Sequence, residues 1–235
     1  VGISCRRIVN GLKELHIDMA QVEGIFISHE HSDHIAGLQQ LLKRFDIPVY
    51  TKQGTWREIQ NKLIVPKNQL IELTKGSLTL GNLIVEPFSV SHDAADPIGI
   101  NVFAEKDKAT VVTDTGVISD SILRRMDDTN LLVLEANYDP HMLRFGPYQP
   151  FLKQRVASDE GHLSNEMAAQ ALLMMNRPDF MQVILAHRSE NNNNAVLVTQ
   201  TIGKMLVDGG VRIGPEMKLQ HGQPNEIVSM KSVKR

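Results

Sequence analysis

The sequence predicts an α/β protein built as a sheet sandwich, or as mixed sheets covered by helices, rather than as one parallel sheet. Two patterns carry this. Apolar strands alternate with amphipathic helices at both ends of the chain, while residues 77–113 hold a strand meander with no helical period. The chain has 235 residues, 42% of them hydrophobic and 22% charged. That is enough to bury a full core, and it excludes disordered and collagen-like classes. One domain over residues 1–235 is expected, with a flexible tail at 228–235.

Taken in order, Arg7, Ile8, Leu12 and Leu15 fall at helical spacing close to the first residue, Val1. Residues 24–28 read as a short buried strand that runs into a histidine-rich loop. A helix is expected over 35–45, with Ile35, Leu38, Leu41, Leu42 and Phe45 on one face. Residues 48–50 form a strand and 56–63 a helix. Alternation over 77–90 surrounds Gly81-Asn82, a hairpin signal. Strands at 98–104 and 110–113 are joined by the polar turn 105–108. Helix 119–126, strand 131–134, helix 165–175, strand 181–186 and helix 195–207 follow, with 140–158 left as a long loop.

The single cysteine, Cys5, cannot form an internal disulfide, which points to a reducing, cytoplasmic setting. No apolar run is long enough to suggest a membrane helix. The formal net charge of −2 excludes wholesale attraction to polyphosphate, so any nucleic-acid contact has to be local.

The chemistry concentrates in His29-Glu30-His31-Ser32-Asp33-His34, three histidines and an aspartate directly after a buried strand. On an extended segment alternate residues share a face, so His29 and His31 can grip one metal. Asp33 and His34, at the turn into the next helix, can face a second. The strand-like spacing differs from the helical His-Glu-x-x-His pattern. Three more ligand types lie just past predicted strands: His92, Asp114 and His187. Together they suffice for two divalent ions. With nitrogen and oxygen donors and no thiolate, Zn²⁺ and Mn²⁺ both fit.

These residues, in this order, resemble the signature of the metallo-β-lactamase superfamily. The resemblance implies an αββα sandwich with metals at one edge. His29, His31 and His92 would hold one ion, Asp33, His34 and His187 the other, with Asp114 between them; Asp33 is carried as a catalytic carboxylate as well. Family members begin with a β-hairpin, and an aspartate would fall just before Val1, so the chain is expected to lack its first hairpin. An aspartate rather than a cysteine at position 114 argues against β-lactam hydrolysis and resembles the thioesterase and phosphodiesterase branches.

Two segments separate those branches. Glu135, after a strand, and His162, in Gly161-His162-Leu163-Ser164, are similar to motifs of tRNA-processing and related nucleases. By that resemblance His162 protonates the leaving oxygen and Glu135 holds the imidazole. Ser164 also reads as an ordinary helix N-cap. The stretch 140–158 carries Arg144, Lys153 and Arg155 among Phe145, Tyr148 and Phe151, with no acid, a composition suited to a single strand. Ser164 and Arg188 complete the candidate substrate contacts. Ser4-Cys5-Arg6-Arg7-Ile8, Gly161-His162-Leu163-Ser164-Asn165-Glu166 and Ala186-His187-Arg188-Ser189-Glu190-Asn191-Asn192 resemble stretches of the YycJ/WalJ (VicX) group of bacterial metallohydrolases, regarded as metal-dependent DNA exonucleases. DNA is favoured over RNA as the partner on that resemblance alone. A homo-oligomer, a glyoxalase-II-like thioesterase and a non-catalytic regulatory member stay open.

Overall fold

Where apolar side chains recur along the chain sets which elements form and how they pack. A computed structural model describes residues 1–74, 76–223 and 226–229. It divides the chain into two compact units, residues 1–80 with 94–98, and residues 81–93 with 99–235. From residue 230 on, the expected tail lies outside the described residues.

In the first unit, helix α1 (Cys5–Glu14) is capped by the Ser4 hydroxyl and buries Cys5 and Val9. Leu15, expected on its apolar face, is instead the C-cap and 45% exposed. Strands β1 (Ile25–Phe26), β2 (Val49–Thr51) and β3 (Leu70–Glu72) pair in parallel in that order. β3 escapes the sequence reading because its side chains face largely outward and leave no apolar alternation. The single helix expected over 35–45 is two, α2 (Ser32–Ile35) and α3 (Leu38–Leu42). Gly37 is the reason for the break. A Cβ there would stand 2.1 Å from the Ile3 carbonyl oxygen, and its N–H donates to Val1 O at 3.0 Å rather than along a helix. Helix α4 (Gln53–Lys62) begins three residues before the expected start and buries Trp56 and Ile59. These elements share a core that includes Ile27, Leu38, Leu41, Val49 and Ile59.

Strand β4 (Leu78–Leu80) precedes Gly81-Asn82, with Gly81 at φ 56°. In the second unit, β5 (Leu83–Ser89), β6 (Ile98–Ala104), β7 (Asp107–Val112), β8 (Leu131–Glu135), β9 (Met181–Ala186) and β10 (Met217–His221) run in the order β10-β9-β8-β7-β6-β5. β7, β8, β9 and β10 are parallel, while β6 and β7 form an antiparallel hairpin. That hairpin is tighter than expected. Ala104 pairs with Asp107, and Glu105 takes a left-handed φ of 54° in the turn. Helix α5 (Asp120–Met126) has Ser119 as its N-cap.

The long loop expected over 140–158 is corrected to two short helices, α6 (Pro140–Phe145) and α7 (Pro150–Val156). Each opens on a proline, whose fixed φ and missing N–H suit the first helical turn, and Asp139 caps α6. Helices α8 (Asn165–Met174) and α9 (Ala195–Asp208) bury Ala168, Ala169, Leu172, Val198, Ile202 and Leu206 in a core with Leu132, Leu134 and Val183. β10 was not foreseen, because only its first residue is fully buried.

Leu134 has no exposed surface, so Leu134→Ala is expected to destabilise the protein by about 2–5 kcal/mol. Val196 is 63% exposed, and Val196→Ala is expected to stay within about 0.5 kcal/mol. Urea unfolding of both variants checks the contrast.

Candidate metal centre

The first unit supplies one histidine cluster. Ile27 N–H bonds to Tyr50 O, and the Thr51 hydroxyl donates to Ile27 O at 2.7 Å, which extends the β1–β2 pairing up to the histidine loop. His29 is fully buried; His31 and His34 are half-buried, and Asp33 is exposed in the first turn of α2. The His29 ring centroid lies 4.6 Å from that of His31 and 4.0 Å from that of His34. The Ser28 hydroxyl oxygen is 3.1 Å from His29 Nδ1 and 3.3 Å from His34 Nδ1. An oxygen with two lone pairs can accept both Nδ1–H groups, leaving both Nε2 atoms as ligand donors. Glu30 faces elsewhere: its Oε1 takes the Ala95 N–H at 2.8 Å and so fixes the loop.

The second unit supplies the other cluster, and its topology explains the gathering. Because β7, β8 and β9 are parallel neighbours, their C-terminal ends share one rim. β8 ends on Glu135, β9 is followed directly by His187, and Asp114 lies two residues beyond β7. Asp114 and His187 hold left-handed φ values of 57° and 52°, unusual for residues other than glycine. Asn137 Nδ2 donates to His187 O at 2.8 Å and helps to hold that turn.

Glu135 is fully buried and is the hub. Its Oε1 lies 2.8 Å from both His162 Nδ1 and His187 Nδ1, and its Oε2 accepts the main-chain N–H groups of Thr115 and Leu163. Burial pushes this carboxyl upward, but the hydrogen bonds and charges of the two histidines outweigh it and hold the group below the usual carboxylate range. His92 is buried too, and its Nδ1 donates to Gly161 O at 3.0 Å. Burial pushes the His92 imidazole down, against an upward pull from Asp114, which favours the neutral ring a metal requires. Gly161 permits this contact. A Cβ there would meet the Arg155 and Val156 carbonyl oxygens at 2.3 Å, and close passage lets His162 N–H donate to Val156 O.

These residues fit a divalent cation. With Nδ1–H given to Glu135, a neutral His187 turns its Nε2 lone pair toward Asp114 Oδ1, only 3.3 Å away. His92 Nε2 lies 3.8 Å from the same oxygen. Electron-rich nitrogen and oxygen atoms this close together are stabilised by a positive charge among them, and the donor set suits a divalent ion.

The remaining predicted site residues are more dispersed in role. Ser164 is buried, and its hydroxyl caps α8 by accepting the Met167 N–H. Arg155 pairs with Asp93. Lys153 Nζ donates to Arg144 O, and the Arg144 guanidinium lies over the Phe145 ring at 5.3 Å. Arg188 is half-buried and acts on His221, whose imidazole is pushed down by burial first and by the Arg188 charge second. Sequence reasoning missed the shared use of Glu135 by two histidines. It also missed Ser28 and the asparagine scaffold, in which Asn193 Nδ2 donates to Ala136 O, Asn137 O and Asn165 Oδ1. The only signal was a hydroxyl residue beside His29 and a run of asparagines after Glu190.

Comparison with known proteins gives the family. The family described as "Beta-lactamase superfamily domain" matches residues 7–187. The chain is 34% identical to Exodeoxyribonuclease YycJ of Bacillus anthracis over 225 residues, 95% of this chain and 85% of that protein. It is 31% identical over 229 residues to Exodeoxyribonuclease WalJ of Streptococcus pneumoniae serotype 2, with the same coverage of 95% and 85%. The crystal structure of the metallo-β-lactamase fold protein YhfI from Bacillus subtilis superposes with a TM-score of 0.61, covering 84% of this chain and 75% of that one. At 16% identity that likeness concerns the fold, which is the α/β class expected. The chain therefore belongs to the β-lactamase superfamily, as a metallohydrolase of the YycJ/WalJ type.

Proposed function

We propose that the protein is a binuclear metal-dependent phosphodiesterase that degrades DNA from an end, acting in the cytoplasm. Its ligands are drawn from His29, His31, Asp33 and His34 and from His92, Asp114 and His187, with zinc or manganese as the ions. Support comes from the donor chemistry of each cluster and from the relatives named as exodeoxyribonucleases. When bound, two such ions acidify water at neutral pH and offset the negative charge that develops on phosphorus oxygens.

The observation that carries the reading is the double hydrogen bond at Glu135. One carboxylate oxygen holds Nδ1 of a ligand, His187, and Nδ1 of His162, which stands outside the ligand set. Fixing Nδ1 leaves His162 Nε2 as the atom that exchanges a proton with substrate. A departing nucleoside oxygen is a poor leaving group until protonated, and a positioned imidazolium supplies that proton. A thioester has a better leaving group and less need for one. Arg144, Lys153 and Arg188 are assigned to backbone phosphates, while Arg155 and Ser164 keep the scaffolding contacts described above.

Chelation is expected to abolish hydrolysis of a phosphodiester reporter, with Zn²⁺ or Mn²⁺ restoring it. His31→Ala and Asp114→Ala should each lose more than the roughly 10–100-fold typical of removing an outer partner of a metal ligand. Metal content measured alongside turnover checks this, and unchanged turnover in either variant contradicts it. His162→Ala should lower phosphodiester kcat by about 10²–10⁴ while sparing cleavage of a thioester substrate. Equal losses on both substrates would remove the general-acid role.

A further inference from the structure

We infer that Ser28 is a positioning residue for both ions, its single hydroxyl oxygen orienting one imidazole in each of two donor pairs. This deepens the binuclear reading and rests on it. Both pairs lie in the first unit. The His29 and His31 rings stand edge to face with centroids 4.6 Å apart, and His34 Nε2 lies 3.6 Å from Asp33 Oδ2. Alternation along the extended loop gives the first pair its common face, while the second pair sits in the first turn of α2. One imidazole of each pair turns its Nδ1 to the Ser28 oxygen, His29 at 3.1 Å and His34 at 3.3 Å. Their ring centroids are 4.0 Å apart, so one atom reaches both.

Ser28 is itself held still. Its carbonyl accepts the Ile98 N–H at 3.1 Å, and the preceding carbonyl, of Ile27, accepts the Thr51 hydroxyl. The side chain is half-buried and turns about one torsion, so little freedom is left to lose when the rings lock. The chemistry of ligation then sets the direction of the hydrogen bonds. Were the hydroxyl to donate to either Nδ1, that neutral ring would carry its hydrogen on Nε2 and offer a cation no lone pair there. Ligation through Nε2 of both rings therefore requires the oxygen to accept twice, which its two lone pairs allow. The second unit meets the same need with a carboxylate, since Glu135 Oε1 faces Nδ1 of both His162 and His187. A carboxylate adds charge and raises ligand basicity, whereas a hydroxyl supplies direction alone. Because one oxygen restrains a donor of each pair, losing it loosens both pairs together.

The test titrates the zinc-loaded chain with a chromophoric chelator, which reads the affinity of each ion as it leaves. Ser28→Ala should weaken both steps, each by roughly 10–100-fold, and Ser28→Thr, which keeps the oxygen, should restore them. Loss at one step or at neither in Ser28→Ala, or equal weakness in Ser28→Thr, overturns the inference. Circular dichroism confirms that each variant folds. Long-range ¹H–¹⁵N spectra of the zinc-loaded wild type add a readout that a purely structural role does not move. His29 and His34 should both carry hydrogen on Nδ1. Hydrogen on Nε2 of either ring overturns the inference, and that result stands even where Ser28→Ala fails to fold. The zinc content of the wild type reads the binuclear assignment separately. One ion per chain would sink that assignment, whereas two ions with a single step weakened sinks only the role of Ser28.

Discussion

The second unit is organised around one buried negative charge. A carboxylate with no solvent contact is costly, and Glu135 is tolerated because four N–H groups point at its two oxygens. Two come from the main chain, at Thr115 and Leu163, and two from imidazoles. Each donor does a second job. The Thr115 amide sits next to Asp114 and the Leu163 amide next to His162, so meeting the carboxylate's need also places the residues on either side. The imidazole N–H groups fix which nitrogen of each ring is left available, and in metal sites that choice sets ligand basicity and orientation. Replacing this carboxylate would therefore disturb a strand end, a turn and two rings together.

Such a hub also accounts for strain nearby. Asp114 and His187 are both in the left-handed region, which costs a residue with a Cβ roughly 1–3 kcal/mol and persists where surroundings over-determine it. Around His187 the restraints are explicit. Its carbonyl accepts from Asn137, Asn137's own carbonyl accepts from Ser189 and Asn193, and Asn193 is tied to Asn165 at the start of α8. Buried amides with several partners each are expensive to leave unsatisfied and stiff once satisfied. The asparagine run thus holds a turn that the backbone alone would not adopt.

What was legible in the sequence follows the same physics. Strands β6, β8 and β9 were readable because they are apolar runs with clear ends, and Ser164 was readable as a helix cap from its side chain. The residues of the histidine cluster stood out because packing rarely needs three imidazoles in six positions. β3 and β10 were not legible, since strands that bury little have no period to detect. Nor was the break at Gly37, which depends on a close approach from residues more than thirty positions away. The two helices at 140–156 had their signal in Pro140 and Pro150. Proline after a polar residue reads equally as turn or helix start, and their short apolar faces could not decide between the two. The link between Glu135 and His187 was likewise out of reach, because only the parallel register of β8 and β9 brings Glu135 opposite Ala186.

Helix α7 ties several parts of the second unit into one mechanical piece. Its last residue, Val156, accepts the His162 N–H. One position earlier, Arg155 pairs with Asp93, the residue after His92. Lys153 holds the end of α6, where Phe145 is displayed. Three contacts along a single turn thus reach His162, the neighbour of His92 and the end of α6. An exposed ion pair such as Arg155–Asp93 adds little stability, so its weight lies in position. Small displacements of a reacting group cost rate far more readily than they cost stability. A short helix that ties the end of α6, Asp93 and His162 together limits such displacements.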